Sequence, residues 1–188
     1  MFNQEMKKMK FYEITLNSKN IFSGRLIKLR LDEVMLPNGR KSTREIVEHP
    51  GAIAVVAVNN DNDIMMVRQY RKPIEKELLE IPAGKLEKGE SKEICVKREL
   101  MEETGYYPND IKYVTSFYTS PGFSNEIIHL FLARNLEKKT READFDEYLQ
   151  AERVPLIEAI NKIRSGEILD GKTITGLLLT YPIIKGDL

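Results

Sequence analysis

The sequence predicts an α+β fold, namely an α/β/α sandwich with a mixed β-sheet and a small N-terminal β region. Predicted strands come first, one helix follows, and further strands precede two C-terminal helices, unlike the regular alternation of a doubly wound parallel sheet. Residues 51–60 form an almost continuous apolar run, which indicates a strand buried on both faces. Residues 25–36 alternate apolar and polar side chains, which indicates a half-buried strand.

The N-terminal region contains three predicted strands. Residues 11–18 and 25–36 are the first two, and we expect a bulge in the second strand ahead of Val34. Pro37-Asn38-Gly39 indicates a hairpin turn that leads into a third strand at 41–48. We therefore expect residues 1–48 to form the N-terminal β region and residues 49–188 to form the main domain.

The main domain contains the remaining predicted elements. Gly105 lies where a glycine commonly ends a helix, and Asp170-Gly171 indicates a break between the last two helices. The predicted helices lie at 91–104, 155–165 and 172–180. The predicted strands lie at 51–60, 63–71, 78–81, 110–118 and 126–136.

Composition excludes several classes of protein. Lys and Arg total 29, as do Asp and Glu, whereas a nucleic-acid-binding protein normally has a basic surplus. No apolar run reaches the roughly 18 residues that a membrane span needs, and the first residues lack the apolar segment of a secretory signal. Cys95 is the one cysteine, so no internal disulfide can form. We expect a cytoplasmic protein with neither a nucleic-acid nor a membrane partner.

Acidic residues are concentrated in a helix and in a second cluster at 142–147. In the predicted helix, Glu99, Glu102 and Glu103 share one face, where like charges repel and the helix dipole disfavours acids near the C-terminus. Arg98 is spaced to pair with Glu102 and to relieve part of this cost. Carboxylates without Cys or His suit Mg²⁺ or Mn²⁺ rather than Zn²⁺. The face therefore predicts a divalent-metal site, and a solvated acidic face is the alternative.

The segment 84–106 resembles the Nudix box of the Nudix hydrolases. That pattern is Gly, five residues, Glu, seven residues, Arg-Glu-aliphatic-any-Glu-Glu-any-Gly-aliphatic, and Tyr106 is the one departure from it. The strand order resembles the Nudix fold over most of the chain. The matching positions are Gly84, Glu90, Arg98, Glu99, Leu100, Glu102, Glu103 and Gly105.

The resemblance implies a role for each of these positions. Glu99 and Glu103 would bind a divalent metal directly, and Glu102 would bind it directly or through a water. The carbonyl of Ala83 would be a further ligand. The structural positions would be Gly84 and Gly105, which provide backbone freedom, Arg98, which orients a glutamate, and Glu90, which tethers the loop.

Further segments resemble the ADP-ribose pyrophosphatase subgroup of the family, whose members hydrolyse ADP-ribose to AMP and ribose 5-phosphate. The segments are HPGAIAVVAV (49–58), VRQYRKP (67–73), ELLEIPAGKLEKGE (77–90) and SPGFSNE (120–126), where Pro121 matches the subgroup's proline. Taken alone, Ser-Pro-Gly is typical of a tight turn, and each charged candidate is typical of a surface. The implied substrate-binding residues are Arg44, Glu45, Arg71, Glu80, Pro121 and Gly122.

The second acidic cluster resembles the mobile loop that carries the general base in related enzymes. Asp144 and Asp146 align with its acids, Glu147 is the alternate, and Asp146 would also reach a metal. Glu102 is the candidate base if the loop supplies none.

Other functions and the oligomeric state stay open at this point. A Nudix pyrophosphatase for another nucleotide sugar or a dinucleotide, such as one for GDP-mannose, is one alternative. A non-catalytic Nudix-fold ligand sensor is the other. Family members often form homodimers through the N-terminal β region, so the resemblance implies a homodimer that acts on a small nucleoside diphosphate sugar.

Overall fold

A computed structural model describes residues 10–139 and 148–186 of the chain. It divides into two units. One comprises Met1–Pro50 and Ser120–Glu126, and the other comprises Gly51–Thr119 and Ile127–Leu188.

The first unit contains an antiparallel sheet of three strands, β1 (Ile14–Ser23), β2 (Lys28–Met35) and β3 (Lys41–Glu48), in that order. The predicted hairpin turn joins β2 to β3, and Gly39 adopts a positive φ of 80° there. Residues 120–126 lie beside the end of β3, where the N–H of Val47 donates to the carbonyl of Phe123 at 2.7 Å.

The bulge predicted in β2 is wrong. The register of β2 against β3 is continuous, and the irregularities fall between Thr15 and Asn17 and between Asn20 and Phe22 of β1. Bulges favour the edges of sheets, and β1 is the edge strand on this side. A sequence pattern in one strand cannot show which of two paired strands carries the extra residue.

The second unit is built on a mixed sheet. Its described strands follow the order β10-β5-β4-β9-β8, with β6 beside β5 and β7 beside β4. β4 and β9 run parallel, whereas the other pairs are antiparallel. The strands are β4 (Ala52–Val58), β5 (Asp63–Arg71), β6 (Lys76–Glu80), β7 (Ala83–Lys85), β8 (Tyr106–Tyr118), β9 (Ile127–Lys138) and β10 (Leu149–Pro155).

Helices cover both faces of this sheet. They are α1 (Lys92–Thr104), α2 (Leu156–Arg164) and α3 (Gly171–Lys185), and a 3₁₀ turn lies at Lys72–Ile74. Alternate residues of β4 belong to different cores: Val55 packs in the core of α1, and Val56 packs in the core of α2 and α3. Burial on both faces explains the continuous apolar run and confirms the predicted α/β/α sandwich with a mixed sheet.

Two strands were not predicted from the sequence. β7 has only three residues, and β10 buries only Val154 along its length. Both are defined by pairing with β4 and β5 rather than by an apolar pattern of their own. Within residues 10–139 and 148–186, no helix has the length and apolarity needed to cross a membrane.

Candidate active site

Local sequence signals define the ends of α1. The side chain of Ser91 accepts a hydrogen bond from the N–H of Ile94, and Gly105 closes the helix in the left-handed region at φ 76°. Val96 and Leu100 are fully buried and pack on the sheet. Burial raises the pKa of Cys95 to about 12, so its thiol stays protonated and acts as a packing group.

The acidic face of α1 is not a solvated surface. Glu99 is 7% exposed and Glu103 is 2% exposed, so two of the three carboxylates lie inside the protein. Burying a charged group is costly unless donors or a cation compensate for the lost water. The structure therefore rules out the alternative of an ordinary solvated helix face for Glu99 and Glu103.

Gly84 makes room for the Glu99 carboxylate. It lies on β7 opposite Ile53 of β4, and a Cβ atom at this position would overlap the carboxyl group of Glu99. Gly84 is not among the described glycines that have a positive φ, so its backbone conformation does not require glycine. Glycine is needed here because a side chain would occupy the space of the Glu99 carboxyl group. Of the two box glycines expected to supply backbone freedom, only Gly105 has a left-handed conformation.

The backbone of β7 also contacts Glu103. The N–H of Ala83 donates to Oε2 of Glu103 at 3.1 Å. The short strand β7 therefore lies beside both buried carboxylates, with Gly84 against Glu99 and Ala83 against Glu103. The structure thus brings together Ala83, Glu99 and Glu103, which the family resemblance implies as ligands of one metal.

Arg98 links the box carboxylates to one another. Its Nε and Nη2 atoms donate to the two oxygens of Glu90 at 2.9 and 3.0 Å. Its Nη1 atom donates to Glu99 at 2.8 Å and to Glu102 at 3.0 Å. The hydrogen bonds from Arg98 lower the pKa of Glu90 to about 2. One guanidinium thus donates to three carboxylates, those of Glu90, Glu99 and Glu102.

The donor set fits a hard divalent cation. Carboxylate oxygens of Glu99, Glu102 and Glu103 are the ligand type that Mg²⁺ and Mn²⁺ take, and two of these side chains are buried. In the part of the chain that the structure describes, no three His, Cys, Asp or Glu side chains are already gathered as a metal-ligand group. The carboxylates are instead hydrogen-bonded to Arg98 and to the N–H of Ala83.

A second charged cluster joins Arg71 and Glu80. Nε and Nη2 of Arg71 donate to Oε1 and Oε2 of Glu80 at 2.8 and 2.6 Å, and Lys172 also donates to Oε2. Burial by itself would raise the pKa of Glu80, but the hydrogen bond from Arg71 and the charge of Lys172 outweigh burial and lower it. Arg71 and Glu80, which the sequence assigned separately to the substrate, are therefore partners.

Sequence reasoning missed Lys172, Asp170 and Thr173 as members of this cluster. From the sequence, Asp170-Gly171 predicts only a helix break, and Asp170 is the N-cap of α3. Lys172 and Glu80 are 92 positions apart, so no local pattern could pair them. The sequence signal for this cluster is a lysine, Lys172, directly after the Asp170-Gly171 helix start.

Four of the other predicted site residues belong to the first unit. Arg44 and Glu45 are neighbours on β3 of the first unit, and Arg44 donates from Nε to Glu13 at 2.9 Å. Pro121 and Gly122 lie in the 120–126 segment of the same unit. The loop acids Asp144, Asp146 and Glu147 lie outside the described residues.

Comparison with known protein families divides the chain at nearly the same point as the structure. Residues 48–174 match the family described as NUDIX domain. Residues 13–47 match the family described as nucleoside diphosphate sugar hydrolase N-terminal domain.

Similar proteins match over nearly the whole chain. A Bacillus subtilis protein named ADP-ribose pyrophosphatase is 50% identical over 86% of this chain and 88% of its own length. A Bacillus methanolicus protein named methanol dehydrogenase activator is 52% identical over 87% of this chain and 90% of its own length. The crystal structure of an ADP compounds hydrolase has a similar fold, with a TM-score of 0.83 at 23% identity and coverage of 93% and 95%.

Proposed function

Because the chain belongs to the Nudix hydrolase family, we propose that it hydrolyses the diphosphate of ADP-ribose to AMP and ribose 5-phosphate. The observation that carries the proposal is the 50% identity to an ADP-ribose pyrophosphatase over most of both chains. The N-terminal match to a nucleoside diphosphate sugar hydrolase domain supports the same class of substrate.

Hydrolases of this family generally depend on a divalent cation, for which we propose Mg²⁺ with Mn²⁺ as the alternative. Glu99 and Glu103 would hold the ion, with Glu102 directly or through a water and the Ala83 carbonyl as a further ligand. When bound, such an ion neutralises the diphosphate and lowers the pKa of an attacking water. The buried carboxylates beside β7 support this assignment.

The remaining box residues would keep these ligands in place. Arg98 donates to Glu99 and Glu102, which fixes their orientation. Glu90 holds the other edge of the same guanidinium and accepts from the N–H of Glu87 at 3.2 Å, which ties the loop before α1 to the helix.

Proton transfer and substrate binding would fall on other residues. We assign the general base to Asp144 or Asp146, with Glu147 as the alternate and Glu102 if the loop supplies none. Asp146 would also reach the metal. Arg71 would bind a phosphate oxygen, since its partly exposed side chain is oriented by Glu80. The remaining proposed substrate contacts are Arg44, Glu45, Pro121 and Gly122.

We also propose a cytoplasmic homodimer formed through the N-terminal region, residues 1–48. Every residue of β1 is exposed, and this edge strand carries the apolar side chains Ile14, Leu16, Ile21 and Phe22. Exposed apolar side chains on an unpaired strand edge favour contact with a second chain. Light scattering on the purified protein tests the dimer, which a monomeric mass at micromolar concentration would contradict.

A second candidate function follows from the likeness to the methanol dehydrogenase activator. In this case the chain would activate a dehydrogenase. Dehydrogenases use dinucleotides whose two halves are joined by a diphosphate, a bond of the kind this family hydrolyses. A test of the substrate should therefore include a dinucleotide beside the nucleotide sugars.

A substrate panel tests the proposal. ADP-ribose, GDP-mannose and NAD are each incubated with Mg²⁺ or Mn²⁺, and kcat/KM is measured with product identification by chromatography. We expect ADP-ribose to be preferred at least tenfold, with AMP and ribose 5-phosphate as products. A preference for GDP-mannose or NAD would overturn the substrate assignment, and no hydrolysis of any compound would favour the ligand-sensor alternative.

A further inference from the structure

The first turn of α3 is tied to the strand that leads into the candidate active site. Lys172 donates to Oε2 of Glu80, the last residue of β6, and lies 3.1 Å from Oδ2 of Asp170. The Lys172 side chain is only 10% exposed, and that of Glu80 is buried. A buried ammonium with two carboxylate partners has a defined position, which an exposed lysine lacks.

A backbone connection fixes the same turn. Oδ2 of Asp170 accepts from the N–H and the hydroxyl of Thr173, at 2.9 and 2.6 Å. The hydroxyl oxygen of Thr173 in turn accepts from the N–H of Ile81 at 2.9 Å. The start of α3 therefore holds both the side chain of Glu80 and the backbone of the next residue.

This arrangement determines the orientation of Arg71. A guanidinium has five N–H donors in a rigid plane, and Arg71 uses one edge on Glu80. Its side chain is 40% exposed, so its other donors have access to a ligand. Hydrogen bonds to Glu80 are the main cause that raises the pKa of Arg71, and the charge of Glu103 adds to it.

We propose that Lys172 is a positioning residue for the diphosphate of the substrate. By holding Glu80 between two cations, it keeps the Arg71 guanidinium in the orientation that leaves its remaining donors for a phosphate oxygen. The inference rests on the proposed function, since it concerns the same site. It adds a residue from the far end of the chain, outside the Nudix box.

Loss of Lys172 affects Arg71 in two ways. Glu80 loses one of its two cationic partners and is held by Arg71 alone. In the wild type, the two positive charges of Arg71 and Lys172 balance the two negative charges of Glu80 and Asp170. Removal of Lys172 leaves a net negative charge on this group beside an anionic substrate. Both effects weaken phosphate binding more than they change the chemical step.

Variants at position 172 test the proposal in steady-state kinetics with ADP-ribose and Mg²⁺. We expect Lys172→Met to raise KM about tenfold or more and to change kcat less than threefold, because truncating a buried hydrogen-bonded charge weakens binding. Lys172→Arg should stay within threefold of the wild type. Lys162→Met, which removes a lysine of α2 paired with Glu158 and Glu167, is the matched control.

A double variant separates position from net charge. Lys172→Met with Asp170→Asn restores the charge balance, and Asn can still cap α3, but the hydrogen bond to Glu80 stays absent. We expect no recovery of KM. Recovery to within threefold of the wild type would overturn the positioning role.

Equilibrium binding makes the test independent of turnover. The dissociation constant of ADP is measured by calorimetry in EDTA, with the thermal midpoint as a check on folding. We expect Lys172→Met to bind ADP at least tenfold more weakly than wild type. If this variant does not fold, Lys172→Gln takes its place, because its amide is uncharged and one bond shorter, so Glu80 loses its second cation while two N–H donors remain to satisfy buried acceptors.

The two hypotheses fail in different ways. ADP binding by Lys172→Met that equals the wild type, or no ADP binding by the wild type, overturns the role of Lys172. A wild type that binds ADP but does not hydrolyse ADP-ribose overturns the proposed function. In that case weaker binding by Lys172→Met still supports the positioning of Arg71.

Discussion

Replacing Gly84 with alanine should displace Glu99 and impair catalysis. The added methyl group would overlap the Glu99 carboxyl group, and an ordinary contact needs about 3.4 Å. Glu99 is 7% exposed and accepts from Arg98 at 2.8 Å, so its carboxylate cannot move without breaking that contact. A displacement of about 1 Å in a catalytic group costs about 10²-fold in rate. Overpacking also costs about 1–3 kcal/mol of unfolding free energy.

The assay is kcat/KM for ADP-ribose over a titration of Mg²⁺, with urea unfolding as the stability measurement. We expect Gly84→Ala to lose about 10²-fold in kcat/KM and to need more Mg²⁺ for half-maximal rate. Gly171→Ala is the control, because a Cβ at that glycine meets nothing within 4 Å. Activity of Gly84→Ala within threefold of wild type would refute the argument that this glycine makes room for a metal ligand.

Two further predictions concern the box carboxylates and their shared arginine. Glu99→Gln and Glu103→Gln should each lower kcat by about 10²–10³-fold while the exposed-site control Glu93→Gln does not, and unchanged Mg²⁺-dependent turnover in Glu103→Gln would contradict the ligand assignment. Arg98 lowers the pKa of Glu90 from 4.5 to about 2, so its hydrogen bonds stabilise the folded state above pH 4.5 and this contribution is lost as pH falls toward 2. Arg98→Met should therefore lose about 1–3 kcal/mol of unfolding free energy at pH 7, the cost of leaving a hydrogen-bonded carboxylate without its partner, and less at pH 3 in urea titrations, whereas an equal loss at both pH values would count against the ion pair.

Several elements could be predicted from the sequence because their determinants are local. A serine cap, a C-terminal glycine and apolar spacing define α1, and the Pro-Asn-Gly turn defines the hairpin of β2 and β3. The continuous apolar run marks β4 as the central strand with helices on both faces. Each signal lies within a few residues of the element that it specifies.

Contacts between distant segments could not be predicted in this way. The bulges lie in β1 because the edge strand accommodates them, and β7 is a strand only because β4 pairs with it. The requirement for Gly84 follows from the position of a side chain 15 residues later in the chain, once α1 packs beside β7. No periodicity or turn signal records such a contact.

By itself, the sequence determined the fold class, the hydrolase family and the helix face that carries Glu99 and Glu103, since these depend on spacing along one segment. Only the tertiary structure decided that these carboxylates are buried, that Arg71 binds Glu80, and that Lys172 is the second cation on Glu80. The physical reason is that burial and ion pairing depend on distances in space. Those distances arise when α3 packs on the sheet and brings residue 172 to residue 80.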